Sequence, residues 1–453
     1  MRDLLRLAIV PGFILLCLVL GGSAQGIWTN AALQLGAVAI IAWALLARPA
    51  PPLSDAARGL AMIAGLTVLL IGLQLVPLPA ALWTALPGRD FVVEGLRLIG
   101  AAPGWSPLSL TPHATMDTAL TLLPPLAVLV AMLWTGAYRG AWLAVAILAV
   151  ILAAVLLGAL QVGSADPLTS QWYLYRRTNH GVATGFFANS NHMGALLVIG
   201  VPILFALARD LRDRATNVRA KSAILLLAVS GVLVLLLGIV LNESLAVLLL
   251  GPPVVLASAT ILLPRQASLR WPLAGIAVLG GLATLAAYVS PLHDRIVGGN
   301  MTSIEERQVM WANTASAIPD FLPWGSGVGS FATLYPRYEA PETVTPTFNS
   351  HAHNDYLEIA LETGAPGLLL LIVFLIWWGA RTRSIWSSTA ADPYAQAATI
   401  VTAALLLHSM VDYPLRTAAL SAVMAAFLAI MARPRAPRPR AEADLWPTRH
   451  ARI

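Results

Sequence analysis

The stretch GAWLAVAILAVILAAVLLGALQV, residues 140–162, carries no charged residue in any of its 23 positions. As an α-helix rising 1.5 Å per residue it reaches about 34 Å, against about 30 Å for the hydrocarbon core of a bilayer. A helix that is apolar all round is one that lipid or protein surrounds on every side.

Runs of this kind recur along the chain. About twelve are read, at 4–24, 27–47, 59–79, 117–135, 140–162, 191–208, 221–241, 244–263, 271–289, 364–380, 394–412 and 415–432. Hydrophobic residues make up 58% of the 453 and charged residues only 11%, against roughly 25% charged in an average soluble domain. So few charges do not cover the surface of a water-soluble fold this size. The sequence therefore predicts an all-α integral membrane protein of about 12 transmembrane helices.

Charge sets the orientation. With the N-terminus inside, the inner loops and tail collect twenty of the 28 basic residues and the outer segments keep eight, the asymmetry of the positive-inside rule. Both termini are then cytoplasmic. The net charge of +6 lies at the anionic cytoplasmic membrane surface and is not read as a nucleic-acid signal. The tail from Arg433 to Arg440, interleaved with Pro434, Pro437 and Pro439, reads as a basic anchor. Cys17 is the only cysteine, which excludes an intramolecular disulfide and a cysteine-rich metal site. It lies in the first apolar run, read as an uncleaved helix because a second follows at once.

This orientation divides the chain into helices 1 to 9 with short loops over 1–289, a long outer loop over 290–363, helices 10 to 12 over 364–432 and a basic tail over 433–453. A connection as long as the outer loop is usually functional. His113, His180, His192, His293, His351 and His353 lie in or beside outward segments, which puts any chemistry on the outer face.

Within the long loop, SHAHNDYLEIALETGAPG at 350–367 reads as a helix start capped by Ser350 and broken by Gly364 and Pro366. On helical spacing His351, Asn354, Asp355, Glu358 and Glu362 share one stripe and His353, Leu357 and Ala360 another. The two histidines then face apart, which argues against a metal site, and none is expected. His353 is read as a single functional imidazole that accepts a proton or orients a hydroxyl; a polar helix-start residue is the alternative. SIEERQVMW at 303–311 reads as a helix with Arg307 and Trp311 on one face. The Arg307 guanidinium suits a phosphate, or else pairs with Glu305, Glu306 or Glu339. The segment YRRTNHGVATGFFANSNHMG at 175–194 joins Arg176 and Arg177 to Asn191 and His192. Such groups suit a sugar or pyrophosphate, while Asn189 and Asn191 equally suit a helix cap.

Three of these segments carry a resemblance. FFANSNH at 186–192, GVGSF at 327–331 and HAHNDYLE at 351–358 look like the O-antigen ligase and polymerase superfamily, with QLVPLP at 74–79, PLSLTP at 107–112 and VDYPLR at 411–416 resembling members tied to exopolysaccharide. The resemblance implies a GT-C-like fold and an inverting, metal-independent glycosyltransferase without cofactor. Its donor is a glycan on undecaprenyl pyrophosphate at the periplasmic face of the bacterial inner membrane. The acceptor is a second lipid-linked glycan in a polymerase, lipid A core in a ligase or a protein in other relatives; the flanking motifs favour a polymerase. The family's essential histidine maps onto His353 and its arginine onto Arg307, with Asn354 and Asp355 beside the histidine as substrate contacts. Where many relatives carry Ser-Arg-Gly, this chain has Asn242-Glu243-Ser244. Arg177 and Arg416 are the candidates to replace the missing cation, and Glu243 is either part of the site or half of an ion pair. A multi-span transporter or flippase is the rival from another class, and a nonenzymatic assembly scaffold is a third. A transporter leaves the loop 290–363 unexplained, and no internal repeat supports one; in a scaffold the loop motifs would be docking surfaces, and His353→Ala would leave glycan output intact.

Overall fold

A computed structural model describes residues 2–24, 27–47, 52–136, 138–262, 299–344, 349–388 and 392–433. Among the described residues the chain is helical apart from one two-stranded antiparallel ribbon, Pro77–Leu78 against Ser106–Pro107.

Among the described residues eight helices are long and apolar enough to cross a bilayer: Trp28–Leu46, Asp55–Gln74, Pro112–Thr135, Gly140–Val162, Ser190–Arg214, Val218–Asn242, Leu245–Leu262 and Asp355–Ser387. Arg6–Leu20 and Ala418–Met431 are shorter apolar helices, and Pro393–His408 is a further one of 16 residues. The expected run at 271–289 and the basic tail beyond Arg433 lie outside the described residues. The protein is thus an all-α, multi-pass membrane protein, with eight helices of crossing length among the described residues.

Two apolar cores organise it. The larger gathers the first helix with Leu143, Ile147 and Ile151, the apolar face of Ser190–Arg214, and nearly all of Ala418–Met431. Ser190–Arg214 is the hub, in contact with Gly140–Val162, Val218–Asn242, Leu245–Leu262 and Pro393–His408. Val218–Asn242 leaves Leu226, Leu227, Leu233 and Leu237 more than half exposed, the side that lipid covers. The smaller core holds Met310, Ala317, Phe321, Phe331, Leu334, Tyr335, Ala352 and Leu361, all within or beside the long loop, with Phe91 and Leu110 packed against them.

Buried amides tie the loops to the helix ends, where backbone polar groups need partners away from water. Gln74 accepts from Val328 N at 2.9 Å and donates to the Glu362 carbonyl at 3.0 Å. Gln161 accepts from the Thr184 and Gly185 amides, both at 2.8 Å. Asn242 donates to the carbonyls of Ala183 and Ser190 at 2.8 and 2.7 Å. Arg89, fully buried, donates to the carbonyls of Pro87, Leu108 and Gly325. Burial pushes its guanidinium down to about 10.

Two corrections concern the helix that carries the histidine motif. Its cap is Asn354, whose Oδ1 accepts from Tyr356 N and Leu357 N at 3.0 and 3.1 Å, so Ser350, His351 and His353 precede the helix. Ser and Asn cap about equally well, and the later one wins. His353 takes a left-handed backbone, φ +49°, which no helical stripe allows. The break at Gly364 is real, at φ +57°, ψ −148°. The Pro323 carbonyl accepts from Ala365 N at 2.8 Å there, closing the long loop onto the apolar part of the helix.

Candidate active site

The end of the bundle that holds these loops has one buried carboxylate at its centre. Pro393–His408 stops four residues short of Asp412, and Pro414–Arg416 forms a single 3₁₀ turn before Ala418–Met431. Asp412 sits in the turn between them, 0% exposed. Its backbone N–H donates to the His408 carbonyl at 3.0 Å.

Four side chains from three other regions converge on it. Asn191 Nδ2 donates to Oδ2 at 2.6 Å, and an Arg307 Nη2 lies 3.6 Å from the same oxygen. His353 Nδ1 lies 3.4 Å and His192 Nε2 3.6 Å from Oδ1, which also accepts the Tyr413 N–H at 2.8 Å. Burial alone would raise the Asp412 carboxyl, but His353 and His192 outweigh it and hold it well below the usual carboxylate range. The Tyr413 ring packs against three imidazoles, with centroids 4.3 Å from His351, 4.9 Å from His353 and 5.1 Å from His192.

His353 Nδ1 is buried, yet the side chain is 26% exposed. Nδ1 faces Asp412 at 3.4 Å without a formed hydrogen bond, and the exposure belongs to the rest of the side chain. Arg307 comes from the helix Gly299–Phe321 and donates to the Val411 carbonyl at 3.1 Å. Trp311, one turn further on, donates to the Ala352 carbonyl at 3.0 Å. Both side chains thus lie on one face, as helical spacing predicts.

A second polar layer lies beside the first. Arg416 faces three carboxylates, at 3.3 Å from Asp355, 3.1 Å from Glu358 and 3.7 Å from Glu362. Glu358 also takes His351 Nδ1 at 2.9 Å and the Ala352 N–H at 3.1 Å. Glu362 accepts the Phe331 N–H at 3.2 Å, which docks the glycine-rich turn. Gly327 and Gly329, at φ +107° and +84°, take conformations there that L side chains avoid.

The residues named from the sequence therefore part into three groups. His353 and Arg307 meet on Asp412. Asn191, His192, Asn354, Asp355 and Arg416 are engaged in caps, ion pairs and hydrogen bonds, with His192 and Asp355 buried and the other three partly exposed. Arg176 and Arg177 are exposed and Glu243 is half-buried. Asn179, two residues past Arg177, accepts from Ser190 N at 3.0 Å, which ties the arginine segment to the helix bearing Asn191 and His192. Sequence reasoning missed Asp412 because the apolar run at 394–412 absorbs it. The signal was an acid at the end of that run, just before Tyr413 and Pro414.

Arg307, Glu358, Glu362 and His353 share one contiguous region of the chain, and residues 230–372 match the O-antigen ligase family model. That segment is similar to O-antigen ligases. The match takes in the second half of Val218–Asn242, all of Leu245–Leu262, the described part of the long loop and the first part of Asp355–Ser387. No curated protein matches the chain. Asp412 and Arg416 reach the polar centre from beyond the matched segment.

Proposed function

We propose that the protein is an inverting glycosyltransferase that takes a glycan from an undecaprenyl-pyrophosphate donor at the periplasmic face of a bacterial inner membrane and polymerises exopolysaccharide or O-antigen repeat units. The observation that carries the reading is the convergence of His353 and Arg307 on one buried carboxylate, with the His353 side chain partly exposed. The loop 290–363 then holds the site, both termini lie in the cytoplasm and no metal takes part.

The acceptor hydroxyl gives its proton to His353 Nε2 as its oxygen bonds to the anomeric carbon, and the bond from that carbon to the pyrophosphate oxygen breaks. Asp412 holds the Nδ1 proton on the buried side and stabilises the imidazolium that forms, as an orienting carboxylate does in other imidazole bases. The lipid pyrophosphate leaves as an anion, and fixed cations are worth most where such charge develops. Arg307 supplies one, and exposed Arg176 and Arg177 reach the solvent side. Arg416 is neutralised by its three carboxylates, so Arg177 is the better replacement for the cation missing at 242–244.

The test is in vitro. Full-length protein in nanodiscs receives the lipid-linked glycan that accumulates in a deletion strain, and the product linkage is read by NMR. The anomeric configuration inverts relative to the donor, and the product is a ladder of repeat units. Retention would overturn the single-displacement mechanism, and transfer to added lipid A core without a ladder would make the protein a ligase.

A further inference from the structure

Asp412 is itself held by a chain of side chains that ends one residue from a strained turn. Ser244 Oγ donates to Asn191 Oδ1 at 2.6 Å, and Asn191 Nδ2 donates to Asp412 Oδ2 at 2.6 Å. The direction is fixed by chemistry. An ionised carboxylate only accepts, so Asn191 must turn its NH₂ to Asp412 and its carbonyl to Ser244, which leaves Ser244 as donor. Each member is anchored. Asn191 N–H donates to the Asn189 side chain at 2.8 Å. Ser244 is buried and follows Asn242, which is pinned to two carbonyls, and Glu243, at φ +54°.

From these contacts we infer that Ser244 and Asn191 are positioning residues, which fix the plane of the Asp412 carboxylate so that Oδ1 stays on His353 Nδ1. With Oδ2 taken by Asn191, rotation of the carboxylate would break the 2.6 Å bond and the Tyr413 N–H bond together. His353 at 3.4 Å and Arg307 and His192 at 3.6 Å face Asp412 at ion-pair distance, longer than a directing hydrogen bond, so they do not themselves fix its plane. The short bonds set the orientation. A base held off line loses rate without losing substrate binding, because its contact forms in the transition state.

The inference rests on His353 as the reacting imidazole, and the experiment separates the two. Full-length protein in nanodiscs is assayed with the lipid-linked glycan extracted from a deletion strain. Ser244→Ala and Asn191→Ala lower kcat by about 10- to 100-fold, the range seen when partners that orient a functional imidazole are removed, with KM within about twofold. Ser244→Thr, which keeps the hydroxyl, restores most of the rate. In an Asp412→Asn background Ser244→Ala costs little more, since both act on one interaction. Wild-type rates in His353→Ala would sink the underlying reading. An inactive His353→Ala beside unchanged kcat in Ser244→Ala overturns the positioning role alone, as does a Ser244→Ala loss that adds in full to that of Asp412→Asn. If Asn191→Ala fails to fold, Ser244→Ala, a loss of one hydroxyl, decides.

Discussion

His353 Nδ1 lies 3.4 Å from Oδ1 of Asp412, and the two differ completely in exposure: Asp412 is sealed, while a quarter of the His353 side chain is open. An imidazole backed by a buried carboxylate on one nitrogen has its tautomer set, with the free nitrogen facing the reactant. His353 also holds φ +49°, a conformation that costs a non-glycine residue on the order of 1 kcal/mol or more and persists at sites that need it.

Asp412→Asn keeps the shape of the site and removes its charge. The rate falls on the order of ten-thousandfold, as when the orienting acid of an imidazole base is made an amide. The measurement is initial rate in nanodiscs beside the melting temperature of the same sample. A wild-type rate with wild-type melting would remove Asp412 from the mechanism.

The same carboxyl makes a prediction about pH and stability. Its folded-state value is depressed, so the stability it contributes is present above the unfolded value of about 3.9 and is lost as pH falls through the lower folded value. The difference in melting temperature between wild type and Asp412→Asn is therefore flat from about pH 8 to 5 and closes only in strong acid. A difference that fades between about pH 7 and 5 would assign the linkage to another group.

Arg416 tests the second polar layer. Burial works against its charge, but Glu358, Glu362 and Asp355 outweigh that and raise its affinity for the proton. Arg416→Ala leaves three carboxylates facing one another, and breaking a buried ion pair costs about 3–5 kcal/mol. Melting falls steeply in detergent, and Arg416→Lys recovers part of it. Unchanged melting with weakened donor binding would instead make Arg416 a ligand of the pyrophosphate.

The Gly364 break is needed by the fold. A Cβ there overlaps the Pro323 carbonyl oxygen, and φ is +57°. Gly364→Ala destabilises by about 1–3 kcal/mol, whereas Gly379→Ala, with open space around it, leaves melting unchanged. Equal melting in both would deny the tight closure of loop on helix.

The spans were legible because apolar length is a one-dimensional signal. The same signal hid Asp412, which ends a run that reads as continuous through 394–412 although the helix stops at His408. Arg307 and Trp311 were legible because four residues apart is one helical turn. His351 and His353 were not, because the choice between Ser350 and Asn354 as cap decides whether they are helical at all. The role of Asn191 was out of reach: its partner is 221 residues away, and no local pattern records such a pairing.

The most direct test of the central claim profiles envelope glycans in a deletion strain complemented with wild type, His353→Ala or Arg307→Ala, with expression scored alongside. Both variants, present in the membrane at wild-type levels, leave short lipid-linked units unpolymerised. Normal polymer from an expressed His353→Ala protein would contradict the account.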